Sequence, residues 1–337
     1  MKKLNIRNFY KQILFAINVL NSILIAVCCS LYFIYSPSFS SISFLTLLFP
    51  VFYVFNLCFF IYWILKLDLR FILSLLIIII FLYNSLSIYN INNQSSVENG
   101  LNIMSFNARL FNRYNWIKNE SLITETEDFF KRESPEFIAI QEFHKDYEYI
   151  FKDYNYSHIF LSGNSYGKSI FSKNKIIKKG VIAFDNSSSN AIYADIVIKS
   201  DTIRVYNAHF ESFKFDLYGS KEEISILKMI NKYKSTYKLQ KEQSDVLINH
   251  INKCPFSIVL AVDMNNTQHS FVYRRLKEKL DDSFVISGKG FGSTYRFNFL
   301  PFRIDYIFAS PSISTNNFKI YKQKLSDHNP ISVYLNI

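Results

Sequence analysis

Beyond Tyr89 the chain has a single cysteine, Cys254. That part of the protein therefore cannot close an internal disulfide, and its compartment has to be argued from topology. The other three cysteines, Cys28, Cys29 and Cys58, sit inside apolar runs. Charge is also missing over long stretches. No Lys, Arg, Asp or Glu occurs from Gln12 to Ile34, from Phe44 to Leu65 or from Phe71 to Tyr89. A bilayer core about 30 Å thick takes roughly 20 helical residues, which each stretch approaches, so three transmembrane helices are expected. A cleaved signal peptide fits the first stretch poorly, because its apolar part is long and two more follow.

The charges that are present set an orientation. Lys2, Lys3, Arg7 and Lys11 precede the first stretch, Lys66 and Arg70 flank the turn between the second and third, and the loop from Ser36 to Ser43 carries none. By the positive-inside rule the N-terminus is cytoplasmic and everything after Tyr89 is extracytoplasmic. Asn84 and Ser87 dilute the third stretch; were it not to cross, the remainder would be cytoplasmic. The net charge of +11 is compatible with a phosphate-bearing partner, nucleic acid or anionic lipid. It equally suits a composition rich in Lys, Asn, Ile, Phe and Tyr. No obligate protein partner is indicated.

The chain thus divides into an anchor (1–89), a polar linker NINNQSSVENG (90–100) and a folded domain (101–337). In that domain short β-rich runs alternate with helical stretches. LNIMSFN, FIAIQEF, KSIFSK, GVIAF, IYADIVIK, TIRVYNAHF, FSIVLAVDM, RIDYIFAS and ISVYLNI read as strands. Helices are expected from about Glu120 to Glu133, closed by Ser134-Pro135, and from about Lys234 to Asn252. This mixture indicates α/β or α+β, a sheet sandwich flanked by helices. Four of the strands end in a polar residue of catalytic type: Asn107, Glu142, His209 and Asp263. Any one of them alone reads best as a turn or a satisfied polar group. Four in the same placement point to one shared edge where a ligand binds.

In chain order SFNARLFN, PEFIAIQEFH, YNAHFES, AVDMNN, RIDYIF and SDHNP resemble the motifs of the endonuclease/exonuclease/phosphatase superfamily, over about Leu101 to Ile337. SDHNP preceded by RIDYIF is the most specific of these. The resemblance implies a four-layer α/β sandwich of the DNase I-like type, with one pocket that holds Mg²⁺ or Mn²⁺. It also implies a metal-dependent phosphoesterase in which activated water attacks phosphorus. Glu142, Asn107 and Asp327 would then serve the metal. Asp263 would orient or deprotonate water, with Asn265 holding the phosphate. His209 and His328 would stabilise the phosphate oxygens, and Asp305 would fix the tautomer of His328. Two departures from the family pattern are Arg109, where several nucleases carry a small or acidic residue, and Val262, where glycine is common. Arg109 argues against a close match to the DNA-repair branch.

His144, His158, His250 and His269 belong to no motif and read as structural. Phe213 to Lys241 carries seven lysines against three acidic residues, a rim for an anionic substrate or simply a solvated helix. Three functions remain open: a phosphoesterase acting on a lipid head group or other ester at the outer membrane face, a membrane-tethered nuclease, and a non-catalytic binding module.

Overall fold

In a computed structural model the described residues are 6–85, 89–91, 100–163, 165–185, 187, 189–213, 226–297 and 300–337. Three helices come first: α1 (Ile6–Phe33), α2 (Phe49–Leu65), which continues a six-residue 3₁₀ helix over Ser43–Leu48, and α3 (Phe71–Ser85). Two segments, Asn8–Phe33 and Ser43–Leu65, are long and apolar enough to cross a membrane, where the sequence suggested three. The apolar part of α3 is shorter, Phe71–Ile80. Its 15 residues rise about 23 Å, less than a bilayer core. The expected continuation through 86–88 lies outside the described residues.

Polar side chains bridge the three helices. Asn56 Nδ2 donates to the Ser74 carbonyl at 3.1 Å, Ser74 Oγ to Asn18 Oδ1 at 3.1 Å, and Asn21 Nδ2 to the Phe52 carbonyl at 3.1 Å. Lys11 Nζ lies 3.2 Å from Asp68 Oδ2, tying the start of α1 to the turn after α2.

The remainder of the chain runs through β1 (Leu101–Asn107), α4 (Leu122–Glu133), β2 (Phe137–His144), β3 (Tyr156–Ser162), β4 (Tyr166–Ser172), β5 (Ile176–Ala183), β6 (Asn190–Ile198) and β7 (Asp201–His209). There follow α5 (Ile226–Ile251), β8 (Ser257–Asp263), α6 (Phe271–Lys277), β9 (Asp281–Asp282), α7 (Ser283–Ser287) and the hairpin β10 (Tyr295–Phe297) and β11 (Leu300–Phe302). Strands β12 (Asp305–Ala309), β13 (Ser314–Ile320) and β14 (Ile331–Asn336) close the fold. One six-stranded sheet has the order β13-β14-β1-β2-β4-β3 and the other β5-β6-β7-β8-β12-β9.

Alternating strand residues divide between inner and outer faces, which gives the expected four layers. Ile103, Phe137 and Ile170 of the first sheet meet Ile192, Val205, Val259 and Ile307 of the second across the middle. Met104, Phe106, Ile138 and Ile140 face outward onto Phe129 and Phe130 of α4. Tyr206, Leu260 and Tyr306 face outward onto Tyr237, Leu247 and Leu276 of α5 and α6. A polar clasp joins the sheets through this apolar middle. Asn207 donates to the carbonyls of Ile140 and Ser169, each at 2.8 Å, and accepts from Gln141 Nε2 at 2.8 Å.

Two boundaries differ from expectation. α5 begins at least eight residues before Lys234 because Met229, Ile230, Tyr233 and Tyr237 continue its apolar face at helical spacing. Asn90, the first residue of the expected linker, is buried: it exchanges backbone hydrogen bonds with Gly290 at 2.8 Å, and its Nδ2 donates to the Phe284 carbonyl at 2.7 Å. Ser134 does close α4, with φ 39° and its N–H on the Phe130 carbonyl.

The outer helices of the second sheet also pack against the segment between α1 and α2. Tyr35 packs 6.0 Å from Tyr237 and 5.6 Å from Phe271, Phe44 lies 6.1 Å from Tyr233, and Arg274 donates to the Tyr32 carbonyl at 3.1 Å. The segment between α1 and α2 is therefore part of the domain's surface.

Candidate active site

Strand direction brings the motif residues together. β1 and β2 run parallel, as do β7 and β8, with α4 and α5 as the crossovers. Asn107, His209 and Asp263 are the last residues of β1, β7 and β8. β12 runs antiparallel to β8, so its first residue, Asp305, pairs with Asp263. β14 runs antiparallel to β1, so the Asp327-His328 segment just before it arrives at the same edge. Glu142 sits two residues before the end of β2 at an irregularity in the β2–β4 pairing, with φ 49°. A left-handed glutamate costs about 1–3 kcal/mol and is kept where a bulge re-aims a side chain.

The side chains form one cluster of hydrogen-bonded and ion-paired groups in close proximity. Asn107 Nδ2 donates to Asp263 Oδ2 at 2.8 Å and to Glu142 Oε1 at 3.3 Å, while its Oδ1 accepts from the Arg109 N–H at 3.0 Å. Asp263 Oδ1 accepts from the Asn265 N–H at 3.0 Å, and Asn265 Nδ2 donates to the Phe210 carbonyl at 3.0 Å. His209 Nε2 is 3.4 Å from Asp263 and 3.9 Å from Glu142. The Asp305 carboxylate holds His328 Nδ1 at 2.9 Å, which leaves Nε2 for a ligand. Asp327 pairs with Arg109 at 2.8 Å, and the Arg109 guanidinium lies 4.4 Å over the Trp116 ring.

Charge in this cluster is crowded. Burial, together with the neighbouring Asp305 carboxylate, pushes Asp263 up to about 7. Burial likewise raises Glu142, against the opposing pull of His328 and Asn107. For His328 burial works downward, but Asp305 and Asp263 outweigh it and the imidazolium is pushed up to about 10. Asp263, Asp305 and His328 offer ligand atoms within 4.8 Å of one another. His328 Nδ1 is committed to Asp305, however, so this trio handles a proton and a positive charge more naturally than a cation.

All eight residues expected at the site meet at one end of the sandwich. Glu142, Asp263, Asn265, Asp327 and His328 line a cavity of about 580 Å³. None of the four histidines set aside as structural lines it. His144 accepts from the Asp146 N–H, His158 meets the Tyr193 carbonyl, His250 meets the Tyr206 hydroxyl, and His269 is buried 4.5 Å from the Phe49 ring.

Three contributors were not expected. Lys168 is buried with Nζ on Asn190 Oδ1 at 2.8 Å, and burial lowers it to about 8 against the carboxylates of Glu142 and Asp263. Tyr295 packs 4.8 Å from the His328 ring. An apolar wall includes Phe44 and Leu47 from before α2. Lys168 was legible only as one residue of the strand KSIFSK, and nothing in the local sequence marks the wall. Among the described residues of the basic stretch Phe213 to Lys241, those reaching the cavity are Phe213, Met229, Ile230 and Tyr233. Lys228, Lys232, Lys234 and Lys238 are exposed.

A sequence model of the endonuclease/exonuclease/phosphatase family matches residues 104–328, which spans all eight residues expected at the site. The chain belongs to this family. Residues 11–89 match a second family, a domain of unknown function (DUF8431). Comparison with curated proteins finds no match. Among solved structures, an endonuclease/exonuclease/phosphatase from Bacteroides vulgatus is similar at 15% identity and TM-score 0.57, over 71% of this chain and 99% of that one. A humanised D. rerio TDP2 follows at 17%, TM-score 0.55, over 70% and 99%. A mannosyl-6-phosphatase from Bacteroides thetaiotaomicron gives 15%, TM-score 0.54, over 70% and 100%. At these identities the likeness establishes the fold, two sheets between helices.

Proposed function

We propose that the protein is a divalent-metal-dependent phosphoesterase that hydrolyses a phosphodiester or phosphomonoester by water attack at phosphorus. The observation that carries this reading is the cluster itself. A buried carboxyl pushed up to about 7 and a histidine held by a second carboxylate face one cavity beside Glu142.

The donor set fits Mg²⁺ or Mn²⁺. Glu142 and Asp327 are oxygen donors on the cavity wall, and burial raises the Glu142 carboxyl, whose ionised form a cation there would favour. Asn107 presents its NH₂ to the carboxylates, so ligation by this residue requires its amide oxygen to turn inward. Bound there, the cation supplies charge neutralisation of the phosphate oxygens. Asp263 takes the proton of the attacking water, and its pKa near neutrality suits a general base. His328 donates from Nε2 to a non-bridging oxygen as the imidazolium, which Asp305 stabilises by accepting from Nδ1. His209 and Asn265 hold the phosphate beside Asp263.

The helices α1, α2 and α3 anchor this domain in a membrane, with the N-terminus cytoplasmic and the domain outside. Support comes from Lys11, Lys66 and Arg70 at one end of the bundle and the domain contacts of Tyr35 and Phe44 at the other. A reporter fused after Ile337 is expected to be active only outside the cytoplasm, and cytoplasmic activity would overturn this orientation.

Full-length protein in lipid nanodiscs is expected to cleave at least one of a generic diester, a monoester, a phospholipid, DNA or RNA. The activity should appear with Mg²⁺ or Mn²⁺ and vanish with EDTA. Preference for polynucleotide, with binding that falls steeply in salt, would select the nuclease reading. Full activity in EDTA would remove the metal from the account.

A further inference from the structure

The cavity has two unlike halves. One half is the catalytic cluster, with Glu142, Asp263 and His328 on the wall. Its other half is apolar: Phe44 and Leu47 of the anchor face Phe213, Met229, Ile230 and Tyr233 of the domain. A purely ionic substrate has no use for such a chamber, and a polynucleotide groove would call for cations where these side chains stand. The cavity volume, about 580 Å³, is that of a pocket for a mid-sized organic ligand.

We infer that the substrate is a phosphoester carrying a hydrocarbon chain, and that the chain lies between the 3₁₀ helix over Ser43–Leu48 and the start of α5 while the phosphate meets Glu142, Asp263 and His328. This rests on the phosphoesterase reading and adds a substrate class to it. Continuity chooses the occupant. The wall formed by Phe44 and Leu47 runs directly into α2, and Ser43–Leu65 is one of the two segments apolar and long enough to enter a bilayer. A lipid tail can pass from hydrocarbon to chamber without exposing apolar surface to water, and the anchor then supplies part of the active site. The wall is held in place on the domain side. Phe44 packs 6.1 Å from Tyr233, whose ring stacks 4.4 Å from Phe213.

The test uses full-length protein in phosphatidylcholine nanodiscs and alkyl esters of one phosphate head group, from ethyl to hexadecyl. Each methylene taken into the chamber is expected to raise kcat/KM roughly fourfold until the chamber is filled. Partition of long chains into the disc raises turnover without any chamber, so the decisive readout is the hexadecyl-to-ethyl ratio in variants compared with wild type. Met229→Asp is expected to lower that ratio at least tenfold, and the milder Leu47→Ala several-fold should the first variant fold poorly. Equilibrium binding of hexadecyl phosphate against ethyl phosphate is measured alongside. Chain-dependent binding that both variants weaken, without hydrolysis of any ester, would keep the chamber and defeat the phosphoesterase reading. Hydrolysis with the same ratio in wild type and both variants would overturn the chamber and leave the phosphoesterase standing. Neither hydrolysis nor chain-dependent binding would overturn both.

Discussion

Replacing Asp263 by asparagine is expected to lower kcat by about 10²–10⁴, the usual contribution of a positioned general base. The carboxylate accepts from the Asn107 amide on one oxygen and from the Asn265 N–H on the other. An amide has only one acceptor oxygen, so Asp263→Asn also breaks one of these bonds and loosens the turn that carries Asn265. Stability should respond differently. The folded state raises the Asp263 pKa from 3.8 to about 7, chiefly by burial and then by repulsion from Asp305. The folded protein therefore binds this proton more tightly than the unfolded chain does. That contribution is full below about pH 4 and is lost as pH rises through about 7. At neutral pH and without metal the ionised carboxylate is a cost, which asparagine removes. Thermal unfolding in chelator should show a midpoint that holds or rises in Asp263→Asn, alongside the loss of turnover. A large fall in midpoint with activity retained would make Asp263 a structural residue.

The largest expected loss of stability lies away from the cavity. Asp282 and Arg303 form a buried ion pair at 2.6 Å, with side chains 0% and 1% exposed. Asp282 also accepts from the Tyr273 hydroxyl at 2.7 Å and the Phe284 N–H at 3.0 Å. The Arg303 guanidinium is sandwiched 4.8 Å from the Phe284 ring and 4.7 Å from the Tyr306 ring. Asp282→Ala leaves a buried guanidinium with no counter-charge, an outcome that costs about 3–5 kcal/mol. At about 2–4 °C per kcal/mol for a domain of this size, the midpoint should fall by about 6–20 °C. Arg303 is two residues before Asp305, so the same variant is expected to loosen the carboxylate that orients His328. Circular dichroism of the full chain against temperature measures the first effect. A shift under about 2 °C would mean that the pair contributes little.

Much of the site was legible because the signal was topological. A polar residue closing an apolar strand marks where the strand ends, and parallel neighbours with helical crossovers bring such ends to one edge. Asn107, His209 and Asp263 followed that rule; Asp305 arrived beside them at the start of an antiparallel strand, and His328 just before another. Glu142 only half follows it. The bulge that aims it is a backbone event with no composition of its own. The start of α5 was missed because Met229 to Tyr237 is laced with lysines that mask its apolar spacing. For the third apolar stretch composition suggested a full span; its helix is described over Phe71–Ser85, and the continuation through 86–88 lies outside the described residues. The apolar wall was out of reach altogether. Phe44 and Met229 are separated by more than half the chain, and only the packing of the anchor against α5 makes them neighbours.

The proposed function turns on one chemical event, attack of water on phosphorus. Hydrolysis in ¹⁸O-labelled water tests that event directly, with full-length protein, Mg²⁺ and the best ester of the panel. The proposed chemistry places one solvent oxygen in the phosphate-bearing product and none in the released alcohol. Label in the alcohol, or no turnover of any ester by folded, metal-loaded protein, would contradict it.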